Sequence, residues 1–507
     1  MRKRPGADSA VAGTPAGAGR DLSPARAAGE RAILNTAYRS GGEIVGRFAS
    51  LLLFAYAGRK LGQSGLGAFV FGIAFTGFVM IGVDLGLDRY TLRAIARERS
   101  SAHHLFFNVI LLKVARAIPL FLLSFVALDI IGYSSQAQAT AWVLAPGVFA
   151  DSIARTQLSL FAAHERNAPP AAADTIQRVL SALLGIIALK LGYGVVAVGA
   201  TYSIGSFTGV VIGFLLMTRT IGLPARQISH RRWRGLSSSA FPFAVQDLFA
   251  SMLAMLDTLI LSLLATQAAV GRYGAAYRLF ESTSFISYAL VGAFSAMYTY
   301  LRHDSDPSLN VVYQRSVKLA IVLLTPLAVA FLVLARPICR VIYGPAFVTA
   351  AVPLRILGPG VVLFGFVTIT ISLLISRGDP RRTAALTATI VAINVALNFT
   401  LIPILNVAGA ATAMLATEVV FAVWLARRAL RAVGRIQWLR TTIGALCAGV
   451  AMAAVALPLH NSLAAALAAS LAVYLAVLLI IDWLIDPFDL LFVAGMIRRR
   501  LFPRSTS

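Results

Sequence analysis

Apolar residues run along this chain in blocks of about twenty, the length a helix needs to cross the hydrocarbon core of a bilayer. Fourteen such blocks stand out, at 40–60, 66–87, 105–130, 137–162, 173–191, 195–218, 238–265, 270–299, 312–335, 347–376, 382–402, 407–426, 440–459 and 463–485. They are too long for strands and lack the two-residue alternation of a barrel wall. The pattern predicts an all-α polytopic membrane protein with fourteen transmembrane helices. The stretches between blocks are short and polar, none longer than about twenty residues.

Composition agrees. Of the 507 residues, 58% are hydrophobic and only 13% charged, about half the charge of a soluble chain. A soluble protein this long would form several cores, each needing a polar skin. Soluble enzymes, secreted scaffolds and disordered proteins are therefore excluded. The scarce charges are lopsided, 45 basic against 21 acidic, for a net +24.

Topology absorbs most of that surplus. With both termini in the cytoplasm, 31 basic residues fall in the tails and even-numbered loops. Only Arg59, Lys60, Lys190, Arg272, Arg336 and Arg340 fall on the other side, and eight lie within blocks. Basic residues collect on the cytoplasmic side of membrane proteins, and one helix more or fewer would move whole basic loops to the wrong face. Spread over eight segments, the arginines read as an orientation signal, and nucleic acid is not an expected partner.

A short repeat divides the chain. LGQSGLGAFVFGIAF (61–75) and ATQAAVGRYGAAYRLF (265–280) align at an offset of 204, pairing Gln63 with Gln267, Gly67 with Gly271 and Phe69 with Tyr273. Each follows the first span of a six-span half, as in a duplicated transporter. The expected organisation is a disordered basic tail (1–37), an N-lobe (38–220), a basic cytoplasmic linker (221–237), a C-lobe (238–428), two further spans (429–487) and a basic tail (488–507).

Motif chemistry is sparse. Cys339 and Cys447 support neither a disulfide framework nor a cysteine-based metal site. His103 and His104, in an Arg-rich loop, read as solvated. No GxxxxGK[ST], GxSxG or HExxH stretch occurs, so no cofactor is expected and ATP is not used directly.

The informative residues are charges inside apolar blocks. Arg47, Lys113, Arg116, Arg155 and Arg278 lie too deep to be dismissed. Such a charge costs at least ~2.5–3.5 kcal/mol and faces a bundle interior or watery cavity, so the five predict a cationic chamber between the halves. Local pairing is the competing explanation for Glu43 with Arg47, Asp151 with Arg155, and Arg278 with Glu281, each three or four apart. Lys113 and Arg116 share a helix face with no acid, and need an anion from a partner helix or a ligand. Arg178, Lys318 and Arg355 lie near span ends and read as structural, with side chains that reach the headgroups. Asp247, Asp257 and Glu418 are candidates for ion coupling, with pairing to the basic residues as the alternative.

These stretches resemble a known family. AYAGRKLGQSGLGAFVFGIAF (55–75), GVDLGLDRYTLRAIAR (82–97), LDTLILSLLATQAAVGRYGAAYRLFE (256–281), VIYGPAFVTAAVPLRILGPG (341–360) and the run 373–420 with Asn394, Asn398, Pro403, Gly409, Ala410 and Glu418 are similar to the polysaccharide-biosynthesis flippases. Those belong to the multidrug/oligosaccharidyl-lipid/polysaccharide exporter superfamily. The resemblance covers about residues 31–485. It implies two six-helix lobes with alternating access, and no enzymatic activity. The cargo would be an undecaprenyl-diphosphate-linked glycan moved across the bacterial inner membrane, with a polysaccharide polymerase and other assembly proteins as prospective partners. The lipid II flippase and cation-coupled multidrug branches are the alternatives within the superfamily; a sugar polymerase or glycosyltransferase fits poorly, for want of a large loop.

Overall fold

The computed structural model describes residues 23–222, 224–225, 227–301, 307–377, 380–459 and 462–485. Among them the apolar blocks fall on helices and no strand occurs. The N-terminal half contains α1 (Ser23–Asp84), α2 (Leu87–Arg97), α3 (Ala102–Ile131), α4 (Ser135–Ala163), α5 (Ala168–Lys190) and α6 (Val195–Thr220). The next half contains α7 (Trp233–Leu264), α8 (Gln267–Tyr300), α9 (Pro307–Val333), α10 (Ala335–Tyr343), α11 (Ala351–Ser376), α12 (Pro380–Leu405) and α13 (Val407–Val433). Helices α14 (Trp438–Ala456) and α15 (Leu463–Ile485) follow.

Helix α1 carries the first two blocks. It breaks at Gly62, whose φ of 69° lies in the left-handed region that side chains disfavour. Its helix begins at Ser23, inside the segment expected to be a disordered tail. The stretch ARAAGERAIL supplies good helix formers there. Among the described residues ten candidate membrane spans, one of them the whole stretch Gly41–Asp84, are long and apolar enough to cross a bilayer. Helices α4, α7 and α8 are as long but more polar, and carry Asp151 and Arg155, Asp257, and Arg278 and Glu281.

Packing divides the helices into two lobes. In one, α1 lies against α4 and α5, and α6 closes on both. In the other, α11 is central, touching α8, α9 and α13, with α7 and α12 alongside. Polar side chains satisfy backbone that helix breaks expose, as a membrane interior demands. Pro146 interrupts α4, and Ser203 of α6 inserts there, accepting from Gly147 N and donating to Val143 O. Helix α14 packs on α9, and from α15 Tyr474 donates to Val322 O at 2.7 Å. Lys318, expected to snorkel, instead reaches Asp482 of α15 at 3.2 Å.

The joint between the lobes is pinned rather than free. Asn108 of α3 donates to Gln227 O at 2.7 Å and accepts from Ser229 N at 2.9 Å. His103 Nδ1 accepts from Ala225 N at 2.8 Å, so this histidine fastens the joint instead of merely facing solvent. Helix α7 starts at Trp233, so the last residues of the expected linker are its first turns.

Two seams join the lobes, near opposite ends of the second block of α1. At one, α1 and α8 approach through the repeated glycines. A Cβ on Gly67 would lie 1.9 Å from Gln267 O, and one on Gly271 would lie 1.9 Å from Gln63 O. This reciprocity is the geometry an offset of 204 predicts for two related halves. At the other seam the turn Asp84–Asp88 meets α7. A Cβ on Gly86, whose φ is 77°, would lie 2.4 Å from Ala244 N and 2.6 Å from Ala240 O. Arg116 completes this contact by donating to Val83 O and to Ser237 Oγ. Arg93 and Tyr90 of α2 stack on Phe243.

Candidate functional site

A cavity of about 500 Å³ lies between α1, α4, α5 and α6, with Arg278 of α8 reaching in from the other lobe. Arg278 is held at this position by two lobes at once. Its guanidinium pairs with Glu281 at 2.8 Å, donates to Ser50 Oγ of α1, and lies 4.6 Å over the Phe54 ring. Arg47 makes the reverse crossing. It pairs with Glu43 at 2.8 Å and donates to Glu281 O at 3.0 Å and Ser284 Oγ at 2.9 Å on α8. Two of the expected local pairs therefore form, and each of their arginines also bridges the lobes.

The other residues divide differently. Arg155 lies on the cavity wall with its side chain 51% exposed. Asp151 does not serve as its close partner, because its oxygens accept from Gln177 at 2.6 Å and from Tyr202. Arg178, read from the sequence as structural, also lines the cavity and pairs with Asp174 at 3.0 Å. Three arginines thus face Glu43, Asp151 and Asp174 across one cavity. The expected cationic chamber is instead charge-balanced. Its acids came from α1, α4 and α5, and nothing in the spacing along one helix brings them together.

Arg47, Lys113 and Arg116 are absent from the cavity lining, contrary to the expectation of a shared chamber. The Lys113 side chain is fully buried. Its Nζ contacts Asp84 Oδ1 at 2.6 Å and Asp88 Oδ1 at 2.7 Å, and donates to Ser152 Oγ and Thr156 Oγ1 at 3.0 Å each. The anion this lysine needs is a pair of carboxylates on the turn between α1 and α2. The stretch GVDLGLD held the signal, two acids four residues apart around a glycine, but its pairing with α3 is a tertiary fact. Asp88 stands outside the spans, and burial raises its carboxyl to about 6 while Lys113 pulls it down.

A second polar cluster lies in the C-lobe. Asp257 accepts from Asn398 Nδ2 at 2.6 Å and from Tyr273 OH at 3.0 Å. Asn398 also reaches Asn394 Oδ1 at 3.1 Å, and Asn394 donates to Thr417 Oγ1 at 3.4 Å. Asn398 Oδ1 and Glu418 Oε2 are buried with no hydrogen-bond partner among the described residues. Asp257 and Glu418 are thus both buried, whereas the Asp247 side chain lies outside the described residues. Among the described residues no group of three or more His, Cys, Asp or Glu could hold a metal ion.

Comparison with known proteins matches this architecture. A polysaccharide biosynthesis protein family model matches residues 33–299, more than half of the chain, and a MatE family model matches 242–400. The probable low-salt glycan biosynthesis flippase Agl15 of Haloferax volcanii is 25% identical over 370 residues, covering 72% of this chain and 76% of that one. Among solved structures, a lipid II flippase MurJ in an inward closed conformation superposes with a TM-score of 0.74 at 14% identity, covering 90% of this chain and 100% of that one. An inward-facing multidrug resistance MATE family transporter of the MOP superfamily gives 0.60 at 14% identity, covering 79% and 100%. The chain belongs to the polysaccharide biosynthesis protein family.

Proposed function

We propose that this protein flips undecaprenyl-diphosphate-linked oligosaccharides from the cytoplasmic to the periplasmic leaflet of a bacterial inner membrane, for surface polysaccharide or exopolysaccharide synthesis. The observation that carries this reading is Arg278, fixed by both lobes at the wall of a cavity that also presents Arg155. A guanidinium grips two phosphate oxygens at once and stays charged in a membrane interior. The Haloferax relative is named a glycan flippase, and the family match favours that cargo over lipid II, which offers the same diphosphate. The protein is a transporter and not an enzyme.

In this mechanism the carrier's diphosphate enters between the lobes and displaces carboxylates from Arg155 and Arg278. The Gly86 seam opens to admit the diphosphate and closes behind it, and the lobes then part at the Gly67–Gly271 seam. Asp257 is the ion-coupling carboxylate, with Glu418 beside it in the same lobe and Asp247 on the same helix. The oxygens of Asp257, Asn394, Asn398 and Thr417 are the hard donors a small cation prefers. In the proposed topology of fourteen spans with both termini cytoplasmic, the Gly86 seam faces the cytoplasm.

Removing a charged hydrogen-bonding group costs about 1.5–3 kcal/mol, roughly ten- to a hundredfold in rate. Arg47→Ala and Arg278→Ala are therefore expected to cut surface glycan by about that factor while the protein still inserts. Unchanged surface glycan in both variants would reject the cavity as the cargo site. Asp257→Asn is expected to abolish the dependence of transport on a sodium or proton gradient; a variant that keeps it removes Asp257 from the coupling role.

A further inference from the structure

The cavity and the Gly86 seam are joined by a chain of charges that the transport reading leaves without a role. Arg155 Nε on the cavity wall comes within 3.9 Å of Asp88 Oδ2. That oxygen is buried and takes no hydrogen bond among the described residues. The other oxygen, Oδ1, is gripped by Lys113 at 2.7 Å and Thr156 at 2.8 Å. Lys113 in turn holds Asp84. Asp84 and Asp88 bracket Leu85 and Gly86, which have φ values of 40° and 77°, and Gly86 lies against the backbone of α7. Two carboxylates, one ammonium and one guanidinium thus balance, and only the guanidinium is half-exposed to the cavity.

We propose that Asp88, Lys113 and Arg155 are positioning residues that shut the empty cavity at the Gly86 seam and release it when an anionic diphosphate takes Arg155. The inference rests on the diphosphate reading of the cavity. When the anion recruits Arg155, Asp88 loses the cation facing its Oδ2 and gains a like charge nearby. Lys113 is left with two carboxylates in a buried site, where uncompensated charge is costly. The strained turn relaxes away from α7 and the seam opens. Linkage works in both directions: closing the seam reclaims Arg155 for Asp88 and weakens the cavity's hold on the diphosphate at this end. An unloaded cavity stays sealed, and a loaded one passes its anion toward Arg278.

Spin labels at Ala96→Cys on α2 and Ser238→Cys on α7, both exposed positions, read the seam in the full chain in nanodiscs with Cys447→Ala. The probe is undecaprenyl diphosphate, with undecaprenyl monophosphate as the control. The diphosphate is expected to add a longer-distance population, and the monophosphate to add much less. Arg155→Gln is expected to show the longer population without lipid and no further response. Asp88→Asn, which no longer needs the guanidinium, is expected to stay short with lipid bound. Diphosphate binding is measured on the same samples. No binding overturns both the cargo reading and this one. Binding with unchanged distances, or Arg155→Gln behaving as the parent, overturns the seam control alone.

Discussion

A fully buried ammonium such as Lys113 is stable only because five oxygens of the protein surround it. Removing one partner of a buried ion pair costs about 3–5 kcal/mol, because the other charge stays behind unpaired. Lys113→Met strands Asp84 and Asp88 together, so it is expected to lower the thermal midpoint of the purified protein sharply. Lys113→Met with Asp84→Asn and Asp88→Asn is expected to recover much of that loss. A single variant as stable as the parent in a thermal melt would show the cluster to be dispensable. At this scale the sequence exposes pairs within one helix, such as Glu43 with Arg47, because helical spacing is regular. It hides partners on other helices, which is why the anion of Lys113 and the approach of Glu43 to Arg178 emerge only from packing.

Individual helices were the most legible level, because a bilayer permits few structures and hydropathy reads them directly. The repeat was visible as Gln63 with Gln267 and Gly67 with Gly271, but its meaning was not. The structure turns those four residues into a reciprocal contact between α1 and α8. Breaks within helices were harder to foresee. Pro146 is visible in the sequence, yet the hydroxyl that repairs its gap comes from Ser203 on another helix. The glycine seam makes its own prediction. A methyl group forced 1.9 Å from a carbonyl oxygen opposes closure by about 1–3 kcal/mol, as overpacking does, a shift of roughly 5- to 150-fold. Gly67→Ala and Gly271→Ala should each populate a conformer open at this end, raising thiol labelling of a cysteine placed in the seam. Labelling equal to the parent would mean that the glycines are not what lets the lobes close.

For the whole molecule, the proposed topology assigns 31 of the 45 basic residues to orientation. Among the charges inside the helices stand two polar centres, a charge-balanced cavity reached by Arg278 and a carboxamide-lined carboxylate at Asp257. Each lobe holds one, and the pinned joint at Asn108 keeps the halves in register. An arrangement of two lobes and two seams with a cavity that presents three arginines fits a transporter, and we propose a diphosphate as the cargo feature those arginines grip. The most direct measurement is the initial rate at which purified protein in liposomes moves a fluorescent undecaprenyl-diphosphate-linked oligosaccharide between leaflets, read by its protection from an external quencher. Translocation that depends on the protein, falls roughly tenfold or more in Arg278→Ala and is weak for the monophosphate analogue is the predicted result. Rates equal to those of protein-free liposomes, or equal for the parent and Arg278→Ala, would contradict it.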